Sequence, residues 1–154
     1  DLFYWYQQLV AESLGKKSIG ILPIISAMPK DNHSVMQLYL DGPKNNFFTF
    51  FITEEQFSNK INKKYLDDKH SYLSNKSTYQ ILKAQFDATQ NIFKKRKIPF
   101  RTFIIKKRDE KTLGDIFCFF ILETIMIARA LKINPFNQPE VELIKNETYK
   151  ILNN

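Results

Sequence analysis

Glycine is scarce in this sequence, with four in 154 residues, and there are only six prolines. Reversals that depend on a left-handed or fixed-φ residue are therefore few, and the elements between them are expected to be long. One cysteine, Cys118, excludes an internal disulfide framework. Set in the apolar run "IFCFFIL" at 116–122, it reads as a small buried hydrophobe of a reducing compartment. That run is also the longest unbroken apolar stretch, far too short to cross a bilayer, and no segment reads as a secretory leader. A cytoplasmic protein without a membrane partner is expected. The two histidines, His33 and His70, stand far apart with no cysteine near them, so no metal site is expected. Neither common glycine-rich phosphate loop occurs, and no nucleotide or other cofactor is called for.

What is present is a globular composition: 44% hydrophobic residues, fourteen phenylalanines and seven tyrosines. The formal charge is +7, with basic clusters "KKRK" at 94–97 and "KKR" at 106–108. Clustered cations can release counterions from a phosphate backbone. Here, however, each cluster ends a structural segment, where solvated lysines are ordinary, and no nucleic-acid partner is expected. The chain begins with Asp1 inside a helical pattern, which suggests a processed or excised piece.

The segment 1–16, "DLFYWYQQLVAESLGK", reads as a helix stopped by Gly15. "GILPIISAM" at 20–28 is β-branched and apolar between Gly20 and Pro29, and reads as a buried strand. Ser34 can cap a short helix that Gly42-Pro43 ends. "FFTFFIT" at 47–53 is a second strand, and 54–76 a polar surface excursion with one short helix at most. Ser77 opens an amphipathic helix to about Arg96, with Tyr79, Leu82, Phe86, Ala88 and Phe93 toward the core. "PFRTFIIK" at 99–106 is a third strand. Thr112 starts an almost wholly apolar helix to about Leu131, expected to be buried on most sides. Asn137 or Gln138 caps a last helix with Pro139 in its first turn. Strands alternating with helices predict one undivided α/β domain over 1–154: a parallel sheet flanked by helices, plus a C-terminal helix.

Three groups of residues could carry chemistry. Gln8 and Glu12 lie four apart on one helix face, and Glu12 sits near the helix C-terminus, where the macrodipole disfavours a negative charge. Such a carboxylate suits a general base, although a solvated polar face has the same spacing. Gln138 and Lys145 are two turns apart on the last helix, which predicts a shared azimuth. An ammonium beside a substrate oxygen stabilises developing negative charge, yet exposed Gln and Lys at this spacing are common. His33 lies where a strand is expected to feed a helix, a place where open α/β sheets gather ligands, and it can act as acid or base.

In their order along the chain these segments resemble one family. "QQLVAESLGK" at 7–16 resembles the glutamate-bearing segment of the phosphoglucose isomerase (glucose-6-phosphate isomerase) family. "NHSVMQLYLDGPKNNFFTFF" at 32–51 resembles its histidine segment, with His-Ser, Gln-Leu and a Gly-Pro turn. "TLGDIFCFFILETIMIARALKINPFNQPEVELIK" at 112–145 resembles its C-terminal signature, including Glu123, the Asn-Pro-Phe turn and Gln-Pro-x-Val-Glu-Leu-x-Lys. The Asp-Gly-Pro turn suggests the shorter bacterial form. Ile144 stands where the family usually has glycine before the lysine.

The resemblance implies a portion of a flavodoxin-like sugar-isomerase (SIS) domain. It implies reversible aldose–ketose isomerisation of glucose 6-phosphate and fructose 6-phosphate through a cis-enediol, a step of glycolysis and gluconeogenesis. On this reading Glu12 is the base, His33 assists ring opening from across a homodimer interface, and Lys145 steadies the ring-oxygen side. Gln8 and Gln138 match substrate-contacting glutamines. The family's phosphate-gripping Ser/Thr loop and its arginine precede the glutamate helix, so a C-terminal portion lacking the N-terminal part, and inactive alone, is expected. A non-catalytic sugar-phosphate sensor on the same fold is the alternative.

Overall fold

The computed structural model describes residues 1–54 and 59–153. The described chain forms α1 (Leu2–Leu14), α2 (Lys30–Ser34), α3 (Met36–Asp41), β1 (Phe48–Thr53), α4 (Thr78–Lys95), β2 (Phe100–Ile105), α5 (Glu110–Ala130) and α6 (Pro139–Leu152). Two 3₁₀ turns, Lys63–Tyr65 and Asp68–Leu73, lie in the polar excursion, whose residues 55–58 fall outside the described residues. The architecture is α/β, with a parallel two-stranded sheet flanked by helices and a C-terminal helix, as the sequence predicts. Two compact units make up the chain: residues 1–25 with 113–154, and residues 26–112.

The second unit is built on aromatic packing. Its strands pair in register from Phe48 against Phe100 to Thr53 against Ile105. Alternation puts Phe48, Phe50 and Phe100 on one sheet face, against α4. There Phe93, 1% exposed, meets Phe48, Phe50 and Phe100 edge-on at centroid distances of 4.9, 5.2 and 6.1 Å. Each such pair contributes about 0.5–1.5 kcal/mol beyond its buried area. On the opposite face Phe51 stacks on Phe103, and the Arg101 guanidinium lies over Phe103 while donating to Thr49 Oγ1. Helix α4 starts where the sequence says it should. Ser77 Oγ accepts from the Gln80 amide, and the Gln80 side chain accepts from the Ser77 amide, a reciprocal capping box. Leu82 and Ala88 face solvent instead of the core, because α4 meets the sheet along a stripe centred on Phe86 and Phe93.

In the first unit α1 packs on α5 through Trp5 against Phe117 and Tyr6 against Phe120. Val10, Leu14, Ala128 and Ile133 form its buried centre. Asp109 Oδ1 accepts from the Thr112 amide at the start of α5, which begins at Glu110, two residues before the start expected at Thr112. The helix is not buried on most sides: Leu122 and Met126 are 54% and 71% exposed, and Cys118 is exposed rather than buried. An all-apolar helix needs neighbours on every side, and among the described residues they are supplied on one side only.

Residues 20–28 do not form the third strand. They carry no regular structure and no ladder partner among the described residues, turn at Met28, and are tied to α1 by the Gln7 side-chain amide donating to the Pro23 carbonyl. Pro23 lacks an amide proton, and Ile21, Leu22 and Ile24 are exposed. Composition identifies a segment fit for a sheet, but pairing requires a neighbour. Ser34 is the last residue of α2 and not a cap, and no side chain caps α3. His33 therefore sits in a short helix, not in a strand-to-helix loop.

Two helices end by the same device. Ile98 N–H donates to the Phe93 carbonyl and Lys97 N–H to that of Lys94; Ile133 N–H donates to Ala128 and Lys132 N–H to Arg129. This is the Schellman pattern, with the following isoleucine packed down, but a lysine holds the left-handed position at φ 57° and 56°. No glycine in the chain has positive φ. A left-handed non-glycine residue costs about 1–2 kcal/mol, partly offset by its stiffer unfolded state. Lys97→Gly and Lys132→Gly should each stabilise the chain by about 0.5–1 kcal/mol, read as a rise in urea midpoint. A fall in either midpoint would contradict the backbone strain assigned to that helix end.

The Asp109 carboxyl is held down to about 2 by the Thr112 amide and hydroxyl, aided by Lys107. Its native pKa is below the unfolded value, so its stabilisation is complete above pH 3.8 and fades as pH falls toward 2. The stability gap between the native chain and Asp109→Ala should close over that window in urea titrations. A pH-independent gap would mean that the carboxylate does not act as the helix cap.

Candidate active site

Glu12 lies in the last turn of α1, one residue before Ser13 and Leu14 enter the core. Burial of those neighbours fixes the helix, leaving Glu12 half-buried at its edge. Both carboxylate oxygens are engaged. Gln8 Nε2 donates to Oε1 at 2.9 Å from one turn back along the same helix. Gln138 Nε2 donates to Oε2 at 2.8 Å, although it is 126 residues away in sequence. Three of the five residues singled out in the sequence therefore converge on one carboxylate. Amide donors on both oxygens suit an ionised carboxylate, the state a base must start in.

Gln138 reaches Glu12 because it is not helical. It is the N-cap of α6 at φ −137° and ψ 62°, with Pro139 fixing the first helical position, and its side chain makes no cap bond to α6. The expected shared azimuth with Lys145 therefore does not apply, since two-turn periodicity requires both residues inside the helix. Lys145 Nζ instead bonds Glu142 Oε1 at 2.6 Å, an i,i+3 pair with both side chains more than 60% exposed. His33 is exposed in α2 and belongs to the other unit. No group of three or more His, Cys, Asp or Glu side chains among the described residues could hold a metal ion.

The sequence reading passed over Lys16. Its ammonium donates to the carbonyl oxygens of Glu12 and Ser13, both at 2.7 Å. Burial lowers the Lys16 pKa from the ordinary lysine value, opposed by the nearby Glu12 charge. The available signal was a lysine directly after the helix-stopping glycine, where a cation meets unpaired carbonyls.

Helix α6 has no buried residue, so the Gln138–Glu12 bond is a principal side-chain tie at its N-terminal end. In Gln138→Ala the amides of Leu143, Ile144 and Lys145, the first with partners inside α6, should exchange with deuterium about three- to tenfold faster, equivalent to about 1 kcal/mol for an exposed hydrogen bond to a charged acceptor. Unchanged exchange would show that other contacts hold the helix.

No family model matches the chain. Curated relatives do. The chain is 42% identical over 154 residues to a glucose-6-phosphate isomerase of Mycoplasmopsis pulmonis, covering 98% of this chain and 36% of that protein. It is 37% identical to one of Campylobacter jejuni, covering 97% of the chain and 38% of the relative. A probable glucose-6-phosphate isomerase of Methanococcus maripaludis is 33% identical, with 96% and 33% covered. Among solved structures, a hypothetical protein from Thermus thermophilus superposes with a TM-score of 0.87 at 27% identity, over 97% of this chain and 37% of that one. The chain spans about a third of the length of the proteins it matches. Across nearly its whole length, then, the chain is similar to a portion of proteins named glucose-6-phosphate isomerase, the family that its motifs resemble.

Proposed function

We propose that the chain is the C-terminal portion of a cytoplasmic glucose-6-phosphate isomerase and carries that enzyme's catalytic base, Glu12. The reaction interconverts glucose 6-phosphate and fructose 6-phosphate, a step of glycolysis and gluconeogenesis. The observation that supports it most is the convergence of Gln8 and Gln138 on the Glu12 carboxylate. An unprotonated carboxylate held by two neutral amides is oriented without being neutralised, and the amides can turn to sugar hydroxyls when substrate arrives.

Glu12 takes the proton from carbon two of the open-chain aldose and returns it to carbon one. The two carbons are bonded neighbours, so a single fixed carboxylate serves both through a cis-enediol. Lys145 steadies the ring-oxygen side during ring opening. Freeing its ammonium from Glu142 is inexpensive, because exposed pairs of this kind contribute about 0–1 kcal/mol. His33 assists ring opening in the active site of a neighbouring subunit, which makes the working enzyme a homodimer of flavodoxin-like sugar-isomerase domains. Gln8 and Gln138 contact substrate. Metal and cofactor have no part in this scheme.

Surface area supports the reading of the chain as a portion. It exposes 12037 Å² at 18.2 kDa. A folded monomer of that mass exposes about 8,100 Å², and its two units taken as separate bodies would expose about 9,800 Å². The excess includes Ile21, Leu22, Ile24, Ile151 and Leu152, all more than half exposed. The isolated chain is expected to be inactive, because the phosphate loop and arginine of the family precede the glutamate helix.

In a full-length isomerase carrying this sequence, Glu12→Gln should lower kcat by about three orders of magnitude or more, the scale of a lost general base. Turnover within tenfold of the parent enzyme would remove Glu12 from the role. Binding of fructose 6-phosphate with no conversion by the parent enzyme would favour the sensor instead.

A further inference from the structure

We infer that Lys16 is a positioning residue for Glu12, fixing the helix turn from which that carboxylate projects; this rests on the reading of Glu12 as the base. A helix ends with four carbonyls that have no partner within it. At the end of α1 they belong to Ala11, Glu12, Ser13 and Leu14, and all four are occupied. Gly15 N–H takes Ala11. Lys16 supplies the other three, with its ammonium on Glu12 and Ser13 and its own N–H on Leu14. A single residue thus closes the turn that contains the base.

Lys16 is itself held in place. Its backbone pairs with Ile19 in both directions, N–H to carbonyl at 2.9 Å each way. Between them Lys17 and Ser18 both take left-handed backbone, at φ 54° and 60°. Two consecutive left-handed residues other than glycine are costly, about 1–3 kcal/mol each, and persist only where the surroundings impose them. Gly15 and Gly20 permit the closure. A Cβ at Gly15 would stand 2.7 Å from the Ala11 carbonyl oxygen, and one at Gly20 would stand 3.1 Å from Gly15 Cα. The segment "GKKSIG" is therefore a tight reversal whose product is a lysine ammonium fixed beneath the backbone of Glu12. Partial desolvation at this spot lowers the Lys16 pKa from the ordinary lysine value.

Nothing in the arrangement aims Lys16 at substrate, so its loss should act on the chemical step. Proton abstraction is sensitive to alignment, and a displacement near 1 Å costs about a hundredfold. In the full-length isomerase, Lys16→Met should lower kcat about 30- to 100-fold and leave KM within about threefold. Misalignment makes proton transfer more rate-limiting, so the isotope effect with glucose 6-phosphate deuterated at carbon two should rise. Lys16→Arg, which can still donate to two carbonyls, should return kcat to within about fivefold and restore the parent isotope effect.

Glu12→Gln is run beside these variants. If Glu12→Gln is inactive while Lys16→Met keeps its parent kcat and isotope effect, the positioning role is overturned and the base assignment stands. A Lys16→Met loss confined to KM also overturns it, by making Lys16 a substrate contact. If Lys16→Met does not fold, Lys16→Arg decides: a parent isotope effect with kcat lowered more than thirtyfold overturns the inference. An active Glu12→Gln enzyme overturns the base assignment, and the role of Lys16 with it.

Discussion

Residues 126 apart in sequence are joined by one hydrogen bond, from the Gln138 amide to the Glu12 carboxylate. On that bond depends any claim that α1 and α6 form one site. It is polar and exposed, and such a bond contributes about 1 kcal/mol once solvent competition is counted. α1, by contrast, is fixed by apolar burial at Val10 and Leu14, which water does not compete for. The pair is therefore unequal by construction: the helix that carries Glu12 is anchored by burial, and the amide that reaches the carboxylate from α6 is held weakly.

The elements that could be read from the sequence carry their determinants within themselves. Ser77 and Gln80 specify the start of α4 across three residues, and the alternation of Phe48 and Phe50 with Phe51 specifies the two faces of β1. Residues 20–28 show the opposite case. Their β-branched composition suits a strand, but a strand exists only when a second segment offers its hydrogen bonds, and no local pattern supplies that information. Cys118, Leu122 and Met126 failed for the same reason, since an apolar residue on a helix is buried only if something covers it. The ends of α4 and α5 were legible to within a residue, but the left-handed lysines that close them were not, because glycine is only a preference at that position and buried isoleucines after both helices outweigh its absence.

Within the site, Gln8 and Glu12 were legible from spacing alone, because i and i+4 neighbours meet on any helix. Gln138 was singled out by its spacing from Lys145 and then by resemblance, and the spacing assigned it the wrong neighbour. Its side chain is released from the helix by the backbone turn before Pro139, and that turn sends it to Glu12 instead of Lys145. Motif spacing identifies which residues matter more readily than it identifies what each one touches.

Helix α6 shows how far this chain's stability is separable from its chemistry. Val141, Ile144 and Ile151 fall along one side of α6 and are 42%, 72% and 67% exposed, while Glu142–Lys145 and Glu147–Lys150 pair along its surface. A helix of 14 residues is marginal in water without a packed face, and two exposed ion pairs add only tenths of a kcal/mol each. The apolar side of α6 thus has the pattern of a packed helix without the packing. The relatives are about three times as long as the stretch they share with this chain, and a helix patterned like α6 is packed only where further sequence covers it. Lys145, carried on that helix, would then acquire a defined position only when the helix is covered. Glu12, on a helix anchored through Val10 and Leu14 in the core of its own unit, has no such dependence.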